Sequence, residues 1–211
     1  MYLQAVNTFE LQDKVLHCNE YNFGQIALEL FQFQSRHNLV YSEFLDYLSI
    51  DPMNITNWMD IPFLPVETFK FREVKTGSWK EECVFESSGT TQEIGSKHFI
   101  RSLNWYHHRC LKSFEFHFGN IRQYEFFALL PHYLERKNSS LVEMLRYFMI
   151  ASGQQFQDSF YQNDFEALYR RLSESDFSTK KPLLFGVSFA LMDFAEKYKT
   201  NLENLIIIET G

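Results

Sequence analysis

Apolar residues first recur at helical spacing. Ile26, Leu30 and Phe33 stand at i, i+4 and i+7, and YSEFLDYL continues with Phe44, Leu45 and Leu48, so the pattern predicts helices across residues 21–50. Trp58 to Lys70, WMDIPFLPVETFK, carries two prolines and should be extended or looped, because proline lacks an amide donor and restricts the residue before it. The boundary between a helical N-terminal segment (1–60) and an α/β core (61–211) is placed there. Beyond it the pattern alternates. CVF and HFI read as short strands, and Ser102 to Phe118 as a helix with Leu103, Tyr106, Cys110 and Phe114 on one face. YEFFALL is a strand, and NSSLVEMLRYFMIA a helix opened by a capping box, Ser140 to Glu143. FQDSFY is a candidate strand, DFEALYRRLSE a helix, PLLFG a strand, FALMDFAEKYK a helix and LIII a buried strand. Alternating strands and helices imply an α/β fold with a layered, largely parallel sheet and flanking helices.

Composition supports a folded core and removes some functions. Of 211 residues, 45% are hydrophobic and 18% aromatic, far from the profile of a disordered chain. The 23 phenylalanines fill such a core or line an apolar ligand cavity. A formal charge of −7 argues against a nucleic-acid partner, which would want a basic patch. The opening MYLQAVNTFELQDKVLHC lacks a basic stretch followed by an apolar one, and no apolar run approaches the roughly 20 residues of a membrane span. Cys18, Cys83 and Cys110 show no paired spacing, which suits a reducing compartment, so a cytoplasmic protein is expected. LENLIIIETG stops just after an apolar strand, where ligand contacts begin in parallel sheets, and this suggests a truncated polypeptide.

The chemistry concentrates in VFESSGTTQEIGSKHFI, Val84 to Ile100. Between two apolar strands, clustered Ser, Thr and Gly offer hydroxyl and amide donors, and Lys97 adds a charge, which suits a polyphosphate. The spacing is not that of a Walker loop, since Ser96 precedes Lys97 and His98 follows it. Glu86 and Glu93 oppose an anion unless they turn away. GVSFA, with Ser188 between strand and helix, has the outline of a nucleophile elbow, but no histidine follows Ser188 in the chain. The plainer reading is that Ser188 caps the helix beginning at Phe189. His98, His107, His108, Cys110 and His117 do not make a metal motif: His107 and His108 are adjacent and face apart, and Cys110 falls on an apolar stripe. No metal ligand is assigned. None of the cysteines has a recognisably electropositive setting, so none is read as a nucleophile.

SSGTT followed by a lysine and flanked by strands resembles the phosphate-binding loop of the adenylate-forming superfamily of acyl-CoA synthetases. With IPFLPVETFK, LLPHYLERKNSSLVEM, LLFGVSFAL and the terminal IIIETG, the chain from about Ile61 to Gly211 resembles the acyl-protein synthetases of bacterial bioluminescence, the LuxE-like group. The resemblance implies the N-terminal subdomain of an adenylate-forming ligase. A fatty or other carboxylic acid is activated with ATP and Mg²⁺ to an acyl-adenylate, and the acyl group passes to a thiol acceptor, a protein cysteine or coenzyme A. It assigns Ser87, Ser88, Gly89, Thr90, Thr91 and Lys97 to ATP phosphates, and Thr210 and Gly211 to the approach to the nucleotide. Pro131, His132 and Tyr133, with Gly186 and Ser188, fall where the superfamily places acyl-pocket residues. Gln92 departs from the glycine expected after the two threonines. The Tyr-Gly-x-Thr-Glu motif that helps bind Mg²⁺, the ribose-binding aspartate, the hinge and the catalytic lysine are absent. The acceptor cysteine lies near the C-terminus in that family, so none of the three cysteines inherits its role. These 211 residues alone should not complete adenylation. The alternative expectation is a non-catalytic α/β module that binds a nucleotide or acyl partner.

Overall fold

The structure, a computed structural model, describes residues 9–87, 95–131, 138–174, 176–199, 202 and 204–210. The chain forms two compact units, one ending at Leu103 and the other beginning at Asn104.

In the first unit, α1 (Phe9–Leu16), α2 (Phe23–His37) and α3 (Leu39–Tyr47) precede two single 3₁₀ turns, Pro52–Asn54 and Trp58–Asp60, and a short helix α4 (Thr68–Phe71). Asn38 ends α2 and opens α3, its side-chain oxygen accepting from the Tyr41 amide at 3.2 Å, as short polar caps do. Phe31, Tyr41 and Leu45 form the core, with Phe44, Ile50, Ile55, Ile61 and Leu64 packed around them. The buried stripe of α2 therefore runs through Ile26, Phe31 and Ser35, while Leu30 is exposed and Phe33 half-buried. A helix this rich in apolar residues offers more than one stripe, and the one that meets α3 is buried. The proline-bearing stretch is largely irregular, as its composition predicts, and the Tyr41 hydroxyl donates to the Pro62 carbonyl at 2.6 Å. β1 (Cys83–Glu86) and β2 (Lys97–Ile100) pair antiparallel, with Cys83 opposite Ile100 and Glu86 opposite Lys97. Phe85 and Ile100 share the buried face of this hairpin.

α5 (Leu103–Phe118) leads into the second unit, followed by β3 (Tyr124–Leu129), α6 (Ser140–Ser152), α7 (Phe165–Glu174), β4 (Lys181–Gly186), α8 (Ser188–Lys197) and β5 (Ile206–Glu209). The three strands make one parallel sheet, ordered β3-β4-β5. β3 and β4 are covered on both faces, which explains their unbroken apolar sequences. Phe126, Phe127, Leu129, Leu183 and Leu184 are buried with Leu145 and Met149 of α6 and Leu168 of α7. β5 instead alternates between half-buried and exposed positions, so LIII is a sheet-edge strand and not the buried strand its composition suggests.

Two further expectations are corrected. FQDSFY is not a strand: Phe156–Ser159 forms a 3₁₀ turn, and only Phe160 makes a parallel bridge, to Ala128. Beside it, Gln154 takes the place of a strand residue. Its Oε1 accepts from the Phe126 amide at 2.7 Å and its Nε2 donates to the Phe126 carbonyl at 3.1 Å. Gly153, left-handed at φ 86°, ends α6 and turns the chain so that this amide reaches back. The capping box is also displaced. Ser139 caps α6, accepting from the Val142 amide at 3.3 Å, so Val142 and not Glu143 stands three residues after the cap; Glu143 instead pairs with His107 Nε2 at 2.8 Å. Among the described residues, no helix is long and apolar enough to cross a membrane.

Candidate functional site

The first candidate locus is the β1–β2 hairpin. Ser87 closes its neck: its amide donates to the Ser96 carbonyl at 3.0 Å, and its Oγ accepts from the Ser96 amide at 2.9 Å. Among the described residues, no acceptor takes the hydroxyl proton of Ser87, which a ligand oxygen could accept. Gly95 packs against this neck, since a Cβ there would meet the Ser87 carbonyl oxygen at 3.0 Å. Ser88, Gly89, Thr90 and Thr91 lie outside the described residues. Lys97 opens β2, is exposed, and forms no ion pair with a described carboxylate, although Glu86 stands opposite on β1. An exposed ammonium can hold an anion at modest desolvation penalty.

The second locus is the carboxyl edge of the parallel sheet. From β3 the chain runs to Phe160 on one side and returns to β4 on the other. Successive connections thus leave β3 in opposite directions, the topological arrangement beside which α/β sheets bind ligands. Leu130 and Pro131 continue β3 into this edge and are buried. Gly186 ends β4 against α8: a Cβ would lie 2.6 Å from Leu191 Cδ2, so only glycine fits without displacement. The Gly186 carbonyl accepts from the Thr210 amide at 3.0 Å and from Thr210 Oγ1 at 3.3 Å, which ties β5's exit to β4. Ser188 is the first residue of α8 and not its cap; that position belongs to Val187. Its hydroxyl donates to Glu209 Oε1, so the serine is turned toward a carboxylate and not toward a histidine base. The exposed Ser188–Glu209 pair can meet hydroxyl, amide or amino groups, whereas a bare phosphate would be repelled by Glu209. His132, Tyr133 and Gly211 lie outside the described residues.

The remaining reactive side chains are otherwise engaged. His107 pairs with Glu143 and stacks on Tyr147 at 4.3 Å between ring centres. His98 faces the Phe69 ring and His117 the Phe116 ring. Among the described residues, no group of three His, Cys, Asp or Glu side chains is arranged to hold a metal. Burial pushes the Cys110 thiol up, against the opposing influence of a Tyr106 hydrogen bond and Arg109, so it is a poor nucleophile. Cys83 is half-buried within β1, and Cys18 is exposed just beyond α1.

Sequence reasoning missed Lys75. Its side chain is only 13% exposed, paired with Glu73 at 2.5 Å and Glu81 at 2.9 Å, and its Nζ lies 4.5 Å from the ring centre of Phe99 and 5.0 Å from that of Trp79. Burial alone would lower its affinity for a proton, but the hydrogen bonds to Glu73 and Glu81 outweigh this and hold it above the usual lysine value. Its partners sit at separations of 2, 4, 6 and 24 residues, a spread that no local pattern signals.

The fold defines an α/β protein with a three-stranded parallel sheet in one unit and an antiparallel hairpin in the other. No family model matches the chain, and neither a curated protein nor a solved structure does.

Proposed function

We propose that this chain carries the nucleotide- and acyl-binding part of an ATP-dependent acid–thiol ligase of the acyl-protein synthetase type. In that reaction a carboxylate oxygen attacks the α-phosphorus of ATP, the bond to the departing pyrophosphate breaks, and an acyl-adenylate forms. A thiol sulfur, on a protein cysteine or coenzyme A, then attacks the acyl carbon and AMP leaves. The hairpin of the first unit supplies phosphate donors: the hydroxyls and amides from Ser87 to Thr91 and the ammonium of Lys97. Donors fixed before the reaction stabilise developing charge without reorganising. In the second unit, the carboxyl edge of the sheet with Gly186, Ser188 and Thr210 offers hydrogen bonds to an acyl group. The layered subdomain of the adenylate-forming ligases is the finer fold this reading implies. The glutamate to which that superfamily assigns Mg²⁺ is not among these residues, so Mg²⁺ is given no ligand here.

The observation that carries this reading is Lys97, exposed on β2 of a paired hairpin whose connecting sequence begins SSGTT. Two measurements test it: ATP titration onto this chain, and fatty-acid-dependent ATP–pyrophosphate exchange by the protein from its complete reading frame. Lys97→Ala should weaken ATP binding by about tenfold or more, the loss of one charge-assisted contact, and abolish exchange. Unchanged ATP affinity in Lys97→Ala, with no exchange on any medium- or long-chain acid, removes the proposal. Lys97-dependent ATP binding without exchange would favour a non-catalytic nucleotide-binding module.

A further inference from the structure

A hairpin of two four-residue strands is at best marginally stable alone, yet the proposed phosphate loop must be held in one orientation. The residues that hold it are visible. On β2, Lys97 and Phe99 project from one face, and His98 and Ile100 from the other. The Ile100 side is buried in the unit. The Lys97 side is covered only at its Phe99 end, where the Phe99 ring sits over the Lys75 ammonium. Lys75 is itself fixed by Glu73, Glu81 and the Trp79 ring. The segment bearing these groups is tied to α2: Thr76 Oγ1 donates to Gln34 Oε1 at 2.5 Å, and the Gly77 amide to the His37 carbonyl at 2.8 Å. Trp79 Nε1 donates to the Thr76 carbonyl at 3.0 Å, which locks the indole above the ammonium.

We infer that Lys75 is a positioning residue for anion binding at the hairpin: by holding its ammonium against the Phe99 ring, it fixes the roll of β2 and so the direction in which Lys97 leaves the strand. The inference rests on the phosphate-binding reading of the loop. A one-residue change of roll would carry Lys97 to the opposite face, so the clamp decides which face of the hairpin carries the charge. Lys75 itself is too enclosed by two carboxylates and two rings to meet a ligand.

The test uses the whole chain with Lys75→Met, which keeps the stem and removes the charge, and Lys75→Arg, which keeps both the charge and the ring contact. Amide exchange at Ser87, Ser96 and Phe99, ATP affinity and the thermal midpoint are read together. Lys75→Met should speed exchange at the hairpin amides and weaken ATP binding, each by about tenfold, with exchange in β3 and β4 unchanged. Lys75→Arg should restore both to within about threefold. Should Lys75→Met fail to fold, Phe99→Leu removes the ring while leaving an apolar side chain, and the same shifts are expected. Unchanged hairpin exchange and ATP affinity in these variants overturn the clamp, as does a loss in ATP affinity that Lys75→Arg leaves unrepaired. If exchange at the hairpin rises but neither Lys75→Met nor Lys97→Ala alters ATP binding, the clamp stands and the phosphate reading falls.

Discussion

Replacing Gly186 by alanine tests how tightly the end of β4 is packed against α8. A Cβ on Gly186 would stand 2.6 Å from Leu191 Cδ2, 2.7 Å from Cγ and 3.2 Å from Cδ1, all inside ordinary van der Waals contact. Because Cγ is met as well as a terminal methyl, a rotamer change alone does not clear the space. Overpacking of this kind destabilises by about 1–3 kcal/mol. Gly186 has no positive φ, so alanine suits the backbone and recovers about 0.4–1 kcal/mol by restricting the unfolded chain. The net loss is about 1–2 kcal/mol, which would lower a urea midpoint by about 0.5–1 M. Urea unfolding followed by circular dichroism reads the shift, and Leu191→Ala in the Gly186→Ala background supplies the control. The double variant should lose less than the sum of the two single losses, because removing the leucine branch frees the volume the new methyl occupies. A Gly186→Ala chain as stable as the parent, or strictly additive losses, would refute the close-packing argument.

Gln154→Ala would leave the Phe126 amide and carbonyl, on a residue with no exposed surface, without their partners; the expected loss is about 2–4 kcal/mol, with faster hydrogen exchange at the Phe126 amide by NMR. Burial raises the Tyr41 hydroxyl from 10.0 to about 12. The folded chain therefore holds more protons than the unfolded one in that interval, and the stability this contributes is present below pH 10 and lost as pH rises toward 12. Thermal melts should show a falling midpoint across that window, and Tyr41→Phe should flatten it. Glu143→Gln should retain α6, because Ser139 and not Glu143 caps the helix; a collapse of helical signal would contradict that placement.

The elements read from periodicity were those whose apolar spacing is set locally. β3 and β4 were legible as unbroken apolar runs, since strands covered on both faces admit nothing else. The hairpin strands were legible because short apolar triplets bracket a long polar stretch. α1 was not read: FELQDKVL is short and weakly patterned, and Lys14 ties it to Glu10 within the helix and to Glu29 of α2. The placements of β5 and Phe160 also escaped, because position in a sheet is decided by neighbours and not by composition. At the candidate sites, Gly186, Ser188 and Thr210 stand out in sequence as punctuation at strand ends. That Glu209 accepts from Ser188 follows only once β4 and β5 are aligned. Lys75 looks like any surface lysine until its four partners are assembled.

The Gln154 amide has a consequence for how the sheet can grow. Together with the Phe160 bridge and the Tyr161 amide, which donates to the Ala128 carbonyl at 2.7 Å, it occupies the outer hydrogen-bonding groups along the middle of β3. A foreign strand seeking to extend the array there finds no vacant ladder, which is how folded proteins discourage adhesion through their borders. Among the described residues, β5 has no neighbour beyond it. Among the described residues the sheet is therefore one-sided, with its open border along Ile206–Glu209.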